Sequence, residues 1–175
     1  NPNFYLGEPK TKNLIFKVVA TNAELQAVET GDVDIHDQVV CDDDHIEEAM
    51  SAGFINLKIQ PTLGYGYVAT NQKNEIFQDV KVRQALLHAI DRKSLNQAVY
   101  GQYAITLNIP QAPISWLYDD EGMETYDYDL EKAAELLKEA GWEKDGDKLM
   151  KDGKQMKIVF SAMSGNIVTD TMIPL

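Results

Sequence analysis

The sequence predicts an α/β fold of the mixed α+β kind, with a mixed sheet flanked by helices. Three observations predict it. Apolar β-branched runs alternate with helix-period stripes, yet never settle into a regular βαβ series. Helix starts and stops are written into the chain, with Asp79 and Asp129 as N-caps and Gly31, Gly101 and Gly141 as stops. An apolar share of 44% over 175 residues is enough for a core. Residues 1–175 are read as a single lobe, in which 1–12 form a Pro- and Gly-punctuated lead-in.

The elements follow in order. Leu14 to Ala20 is β-branched and apolar, a central strand. Thr21 with Glu24 makes a capping box for a helix that carries Leu25 and Val28 on one face and stops at Gly31. Val33 and Ile35 alternate with acids as a short strand with one wet face. Asp42, Asp43 and Asp44 open a short helix through Met50, where carboxylates suit the positive end of the dipole. Ile55, Leu57 and Ile59 alternate as a strand ended by Pro61, and Gly64 to Asn71 reads as another, rich in aromatics.

Val82, Ala85, Leu86, Ala89 and Ile90 form the core stripe of the next helix. A second helix runs from Asp91-Arg92-Lys93 to Tyr100. Residues 102–128 are a long connection, and loops of that length tend to carry function. After it comes a strong helix whose buried side is marked by Leu130, Ala133, Leu137 and Ala140. Leu149 to Ser161 reads as a hairpin, with Asp152-Gly153 as a type I′ turn.

Charge excludes several function classes. Twenty-eight acids against sixteen bases leave −12, with a pI near 4.6. Nucleic acid and anionic membrane surfaces both require a positive face, so neither is a partner. Cys41 stands alone, which excludes a disulfide scaffold and a Cys-rich zinc site. No apolar run approaches the ~20 residues of a membrane span. The chain opens at Asn1-Pro2-Asn3 without a starting Met, and Ser164-Gly165-Asn166 opens a helix just before the last residue. A piece of a longer protein is expected.

Candidate chemistry is thin. Asp32, Asp34, Asp37 and Asp42 to Asp44 could suggest calcium, but neither run has the alternating oxygens, central Gly and final Glu of an EF-hand loop. A solvated acidic face is the simpler account. Paired carboxylates could serve a glycosidase, though nothing else supports one. His36, His45 and His88 lack metal spacing, Ser161 and Ser164 lack a nucleophile elbow, and Gly64-x-Gly66 lacks the rest of a dinucleotide fingerprint. The chain is therefore read as a binding protein rather than an enzyme, with no cofactor and no metal.

Aromatic residues carry the binding argument. Trp116 and Tyr118 lie in the Pro-rich connection beside Pro113, and Tyr65 and Tyr67 share one face of their segment. Such side chains supply stiff apolar area with a hydrogen-bonding edge, which suits an extended apolar or peptidic ligand. Ordinary packing is the alternative for each.

The motifs also stand in a recognisable order. Asn1-Pro2-Asn3-Phe4-Tyr5 with Gly7 and Pro9 is followed by Leu25 to Ile35, which contains Gly31-Asp32-Val33-Asp34. Then come Asn71, Phe77 to Leu86, and Ala89-Ile90-Asp91-Arg92. Pro113-Ile114-Ser115-Trp116, Tyr126 to Asp129, and Glu139-Ala140-Gly141-Trp142 complete the set. This resembles the extracytoplasmic solute-binding proteins of family 5, the oligopeptide- and dipeptide-binding components of ABC importers, a group that includes nickel binders.

The resemblance implies a periplasmic-binding-protein type II-like fold and an extracytoplasmic place, periplasmic or lipid-anchored at the cell surface. It implies two lobes that close on a ligand, this chain being much of the second, and a monomer that delivers a peptide to the importer's membrane subunits. The peptide is held extended, like an added strand. Trp116, Pro113 and Tyr118 are the expected cleft wall, with Tyr65, Tyr67 and Asn71 as further ligand contacts. Arg83 and Asp91 are expected to hold the helices together. The Asp that pairs with a peptide's amino end in this family is placed beyond Leu175. A nickel-chelate or other small-solute binder of the family, and a calcium-dependent acidic module, are the alternatives.

Overall fold

A computed structural model describes residues 3–20, 23–37, 43–163 and 165–173. Expectations resting on Asn1-Pro2, Thr21, Cys41, Asp42 and Ser164 lie outside the described residues. The chain divides into two units, Asn1–Leu57 and Lys58–Leu175.

The first unit holds two helices, α1 (Glu24–Glu29) and α2 (Asp43–Ser51). Ala27 is the buried residue of α1, and the Gly31 amide donates to the Val28 carbonyl as the chain leaves it. Asp43 and Asp44 occupy the first turn of α2, where the helix dipole favours them, and Ile46 and Ala49 are its buried face.

The second unit carries the larger core. In α3 (Glu75–Gln78) and α4 (Val80–Ala89) the N-caps are side chains, since Asn74 accepts from the Ile76 amide and Asp79 from the Lys81 amide. The Asp91 carboxylate caps α5 (Arg92–Tyr100), and a 3₁₀ turn (Gly101–Tyr103) ends it. Asp129 caps α6 (Leu130–Glu139) by accepting from the Lys132 amide. A turn at Asn166 caps α7 (Ile167–Met172), which packs on α5.

Helices α4 and α6 pack directly on one another. Val82, Ala140 and Trp142 form one buried cluster, and Ala85, Ala133 and Leu136 form a second, with Leu137 touching both. The small residues Ala85 and Ala133 allow a close approach of the two helices. The expected stripes are thus corrected in detail. Ala89 is exposed, and so is Leu130 in the first turn of α6, whereas Leu136 takes the buried place.

The sheet is a small antiparallel meander of β1 (Glu143–Asp145), β2 (Lys148–Lys151) and β3 (Lys154–Gln155). Met150 lies opposite Glu143 on one side and Gln155 on the other. Asp152 (φ 51°) and Gly153 (φ 74°) both sit in the left-handed region, as a type I′ turn requires.

The expected strands at 14–20, 33–35, 55–59 and 64–71 do not form. Their residues have strand chemistry, but a strand exists only when a neighbour pairs with it, and no ladder reaches these segments among the described residues. Leu14, Ile15, Phe16 and Val18 are accordingly exposed. The expected hairpin is also shorter than 149–161, because pairing fades after the Met156 amide bonds the Leu149 carbonyl.

Candidate functional site

The long connection between α5 and α6 is ordered by its own polar groups. The Ser115 amide donates to the Ala112 carbonyl (2.9 Å), and the Tyr118 amide to the Ser115 carbonyl (3.0 Å). The Ser115 hydroxyl accepts from the Leu117 amide (3.2 Å) and from the Gln111 side chain (3.1 Å). Ile109 and Ala112 are buried and anchor these turns. Trp116, between the two stacked turns, leaves 89% of its surface in solvent. Pro113 and Ile114 are exposed beside it.

The Tyr118 hydroxyl donates to Asp120 at 2.8 Å. That bond to a carboxylate holds the phenol's pKa above its ordinary value, so Tyr118 stays a neutral donor.

Arg92 fixes both ends of the connection. One guanidinium nitrogen donates to the Leu107 carbonyl at 2.7 Å. The other donates to Asn108 Oδ1 at 3.0 Å and to the Tyr126 carbonyl at 2.6 Å. Closing a loop of about twenty residues costs roughly 2.7 kcal/mol in its length-dependent part. Hydrogen bonds from a charged donor contribute about 1.5 kcal/mol or more each, so three of them outweigh that cost.

The far end has a second tie. His88 Nδ1 lies 2.7 Å from the Asp127 carbonyl, and since a carbonyl can only accept, Nδ1 carries the proton. The Asp129 amide returns a bond to the His88 carbonyl at 2.9 Å. The Lys93 ammonium pairs with Asp127 at 3.1 Å. The His88 ring meets the edge of Tyr126 at 5.6 Å.

Tyr65 and Tyr67 are brought together, with ring centroids 5.8 Å apart and planes tilted by 49°. Both are exposed, Tyr67 the more so. Asn71 has a local role, since its side-chain oxygen accepts from the Lys73 amide and its carbonyl from the Asn74 amide, turning the chain into α3. Cavities among the described residues include one of about 400 Å³ beside the Lys17–Asp32 ion pair in the first unit and one of about 180 Å³ between Arg92, Asn108 and Tyr126. None of the six candidate ligand contacts lines either.

Arg83 ties α4 to the end of α3 as expected, whereas the bonds of Asp91 stay within the first turn of α5. Arg83 donates to the Phe77 carbonyl (2.6 Å) and to the Gln78 carbonyl (3.1 Å), and Asp91 accepts from the Ser94 hydroxyl (2.6 Å). The Ser94 bonds lower the Asp91 pKa. Sequence reasoning missed Arg92. A signal was available, because a cation in the first turn of a helix opposes the dipole and has to find its acceptors elsewhere. Among the described residues no group of three or more His, Cys, Asp or Glu converges as a metal site.

A stiff aromatic exposed on a braced turn offers apolar area with a hydrogen-bonding edge, and the class to which comparison with known proteins assigns the chain is that of the solute-binding proteins. The chain belongs to the bacterial extracellular solute-binding proteins, family 5, whose middle region matches residues 1–174. The oligopeptide-binding protein AppA of Bacillus subtilis (strain 168) is 34% identical over 97% of this chain and 32% of its own length. The dipeptide-binding protein of Escherichia coli (strain K12) is 42% identical over 51% of this chain and 17% of its own. The solved structure of AppA from Bacillus subtilis in complex with a nonapeptide superposes with a TM-score of 0.60, at 36% identity over 77% of this chain and 27% of that one. NikA from Brucella suis, solved with Fe(III)-EDTA, shares the fold at a TM-score of 0.61 and 24% identity, over 89% of this chain and 32% of that one. The chain thus spans about a third of the length of such relatives. No helix among the described residues is long and apolar enough to cross a membrane.

Proposed function

We propose that this chain forms much of one lobe of a two-lobed extracytoplasmic protein that captures oligopeptides for an ABC importer. The observation that carries the reading is Trp116, exposed on a braced turn in a chain similar along nearly its whole length to an oligopeptide-binding protein. Pro113, Trp116 and Tyr118 form the cleft wall, and Tyr65, Tyr67 and Asn71 add further contacts. Closure of the other lobe onto this one then buries the peptide, each lobe supplying part of the contacts. The protein acts outside the cytoplasm as a monomer and hands its peptide to the importer's membrane subunits. It binds its ligand and does not transform it.

Isothermal titration of the full-length protein and of residues 1–175 with a random nonapeptide library tests this. Binding by the full-length protein and little or none by residues 1–175 is expected. Equal, tight binding by the shorter chain would sink the two-lobe reading. Binding of a nickel–histidine chelate in place of peptides would move the protein to the nickel binders of its family.

A further inference from the structure

We infer that Arg92 is a positioning residue for ligand binding, a brace that holds the Trp116 turn ready before any ligand arrives. The inference rests on the cleft-wall reading above. Trp116 reaches solvent from turns that Ser115 ties together and that buried Ile109 and Ala112 anchor, and the two ends of the connection set how those turns sit against the helices. Arg92 reaches both ends, through Leu107 and Asn108 on one side and Tyr126 on the other. A guanidinium is suited to this, because its rigid fork serves three acceptors at once where an ammonium is a single point charge. The ties of His88 and Lys93 act only at the Asp127 end. Arg92 alone among these three side chains therefore links the entry of the connection to its exit.

The consequence is thermodynamic. A ligand that needs an ordered wall binds with an apparent Kd equal to the intrinsic Kd divided by the fraction of molecules whose wall is in place. Removing the brace raises Kd by loosening Trp116, although Arg92 itself touches no ligand.

The test uses the full-length protein, a fluorescein-labelled nonapeptide pool and four variants: R92A, R92K, N108A and W116A. Thermal melts screen each for folding. R92A is expected to weaken binding roughly tenfold, with R92K and N108A between it and the parent. In the W116A background, R92A is expected to add little, because the side chain it positions is gone. With 5-fluorotryptophan incorporated, the ¹⁹F resonance of Trp116, assigned by its loss in W116F, is expected to broaden or split in ligand-free R92A. A merely structural role would lower the melting point and leave that resonance sharp.

An unchanged Kd and a sharp resonance in R92A overturn the brace, as does full additivity of R92A with W116A. If R92A does not fold, the same readings in N108A decide. If W116A binds as the parent does, the cleft-wall reading fails, and the resonance still reports whether Arg92 orders the turn.

Discussion

The Lys151 ammonium donates to the Ala140 carbonyl at 2.6 Å, so a side chain from β2 closes the C-terminal end of α6. A cation there meets the negative end of the helix dipole, and the stem crosses Gly141 on its way. Gly141 has φ +86°, and a Cβ on it would lie 3.2 Å from Lys151 Cε.

G141A should therefore cost about 1–2 kcal/mol from backbone strain, and should also push the lysine stem aside. Urea unfolding of the full-length protein, followed by Trp142 fluorescence, measures it. No loss of stability would contradict the strain.

Val82 is wholly buried where α4 meets Trp142 and Ala140, whereas Val80, two residues earlier, is half exposed. V82A should cost about 2 kcal/mol, the two lost methyl groups plus the cavity they leave. V80A should change stability by less than about 0.5 kcal/mol. Paired unfolding curves check the contrast, and equal losses would mean that the packing of α4 on α6 is misassigned.

Lys81 and Glu139 join α4 to α6 at 2.8 Å. The pairing lowers the Glu139 pKa and raises that of Lys81, through the shared hydrogen bond first and their charges second. Glu139's contribution is present above the ordinary carboxylate pKa and fades as pH falls through its lowered value. Lys81's is present below the ordinary lysine pKa and fades as pH rises through its raised value. Both groups are exposed, so the effect is small and screened by salt. E139Q should flatten the acid-side slope of melting temperature against pH, and an unaltered slope would count against the pair.

W116A should weaken nonapeptide binding by about tenfold or more, as loss of an aromatic anchor does, while leaving the melting temperature unchanged because the ring buries so little. Titration and melting on the same samples check both halves. A lowered melting temperature would mark Trp116 as packing rather than contact.

Helices were legible in the sequence because their signals are local. Asp79 and Asp129 cap helices as a carboxylate before an apolar stripe should, and Asp152-Gly153 turns the chain as two residues that tolerate positive φ should. Strands were not legible, because Leu14–Ala20 and Gly64–Asn71 carry the right residues but pairing depends on a neighbour that local sequence does not reveal. The site divides the same way. Trp116 stands out as a candidate by its residue type and its Pro-rich surroundings, and the structure adds its exposure. Arg92 could not be assigned its acceptors, since Leu107, Asn108 and Tyr126 lie 15, 16 and 34 residues away along the chain.

The exposed row of Leu14, Ile15, Phe16 and Val18 bears on how the chain behaves in concentrated solution. Unpaired backbone beneath apolar side chains is a template on which another molecule can add a strand. The two edge strands of the meander each carry a lysine against this, Lys144 on β1 and Lys154 on β3. Residues 14–18 have Lys17 alone, so what keeps two copies apart is the mutual repulsion of molecules carrying −12 each. Salt shortens the reach of that repulsion, and light scattering from residues 1–175 should therefore rise as ionic strength is raised. The net negative charge of residues 1–175 thus opposes their self-association.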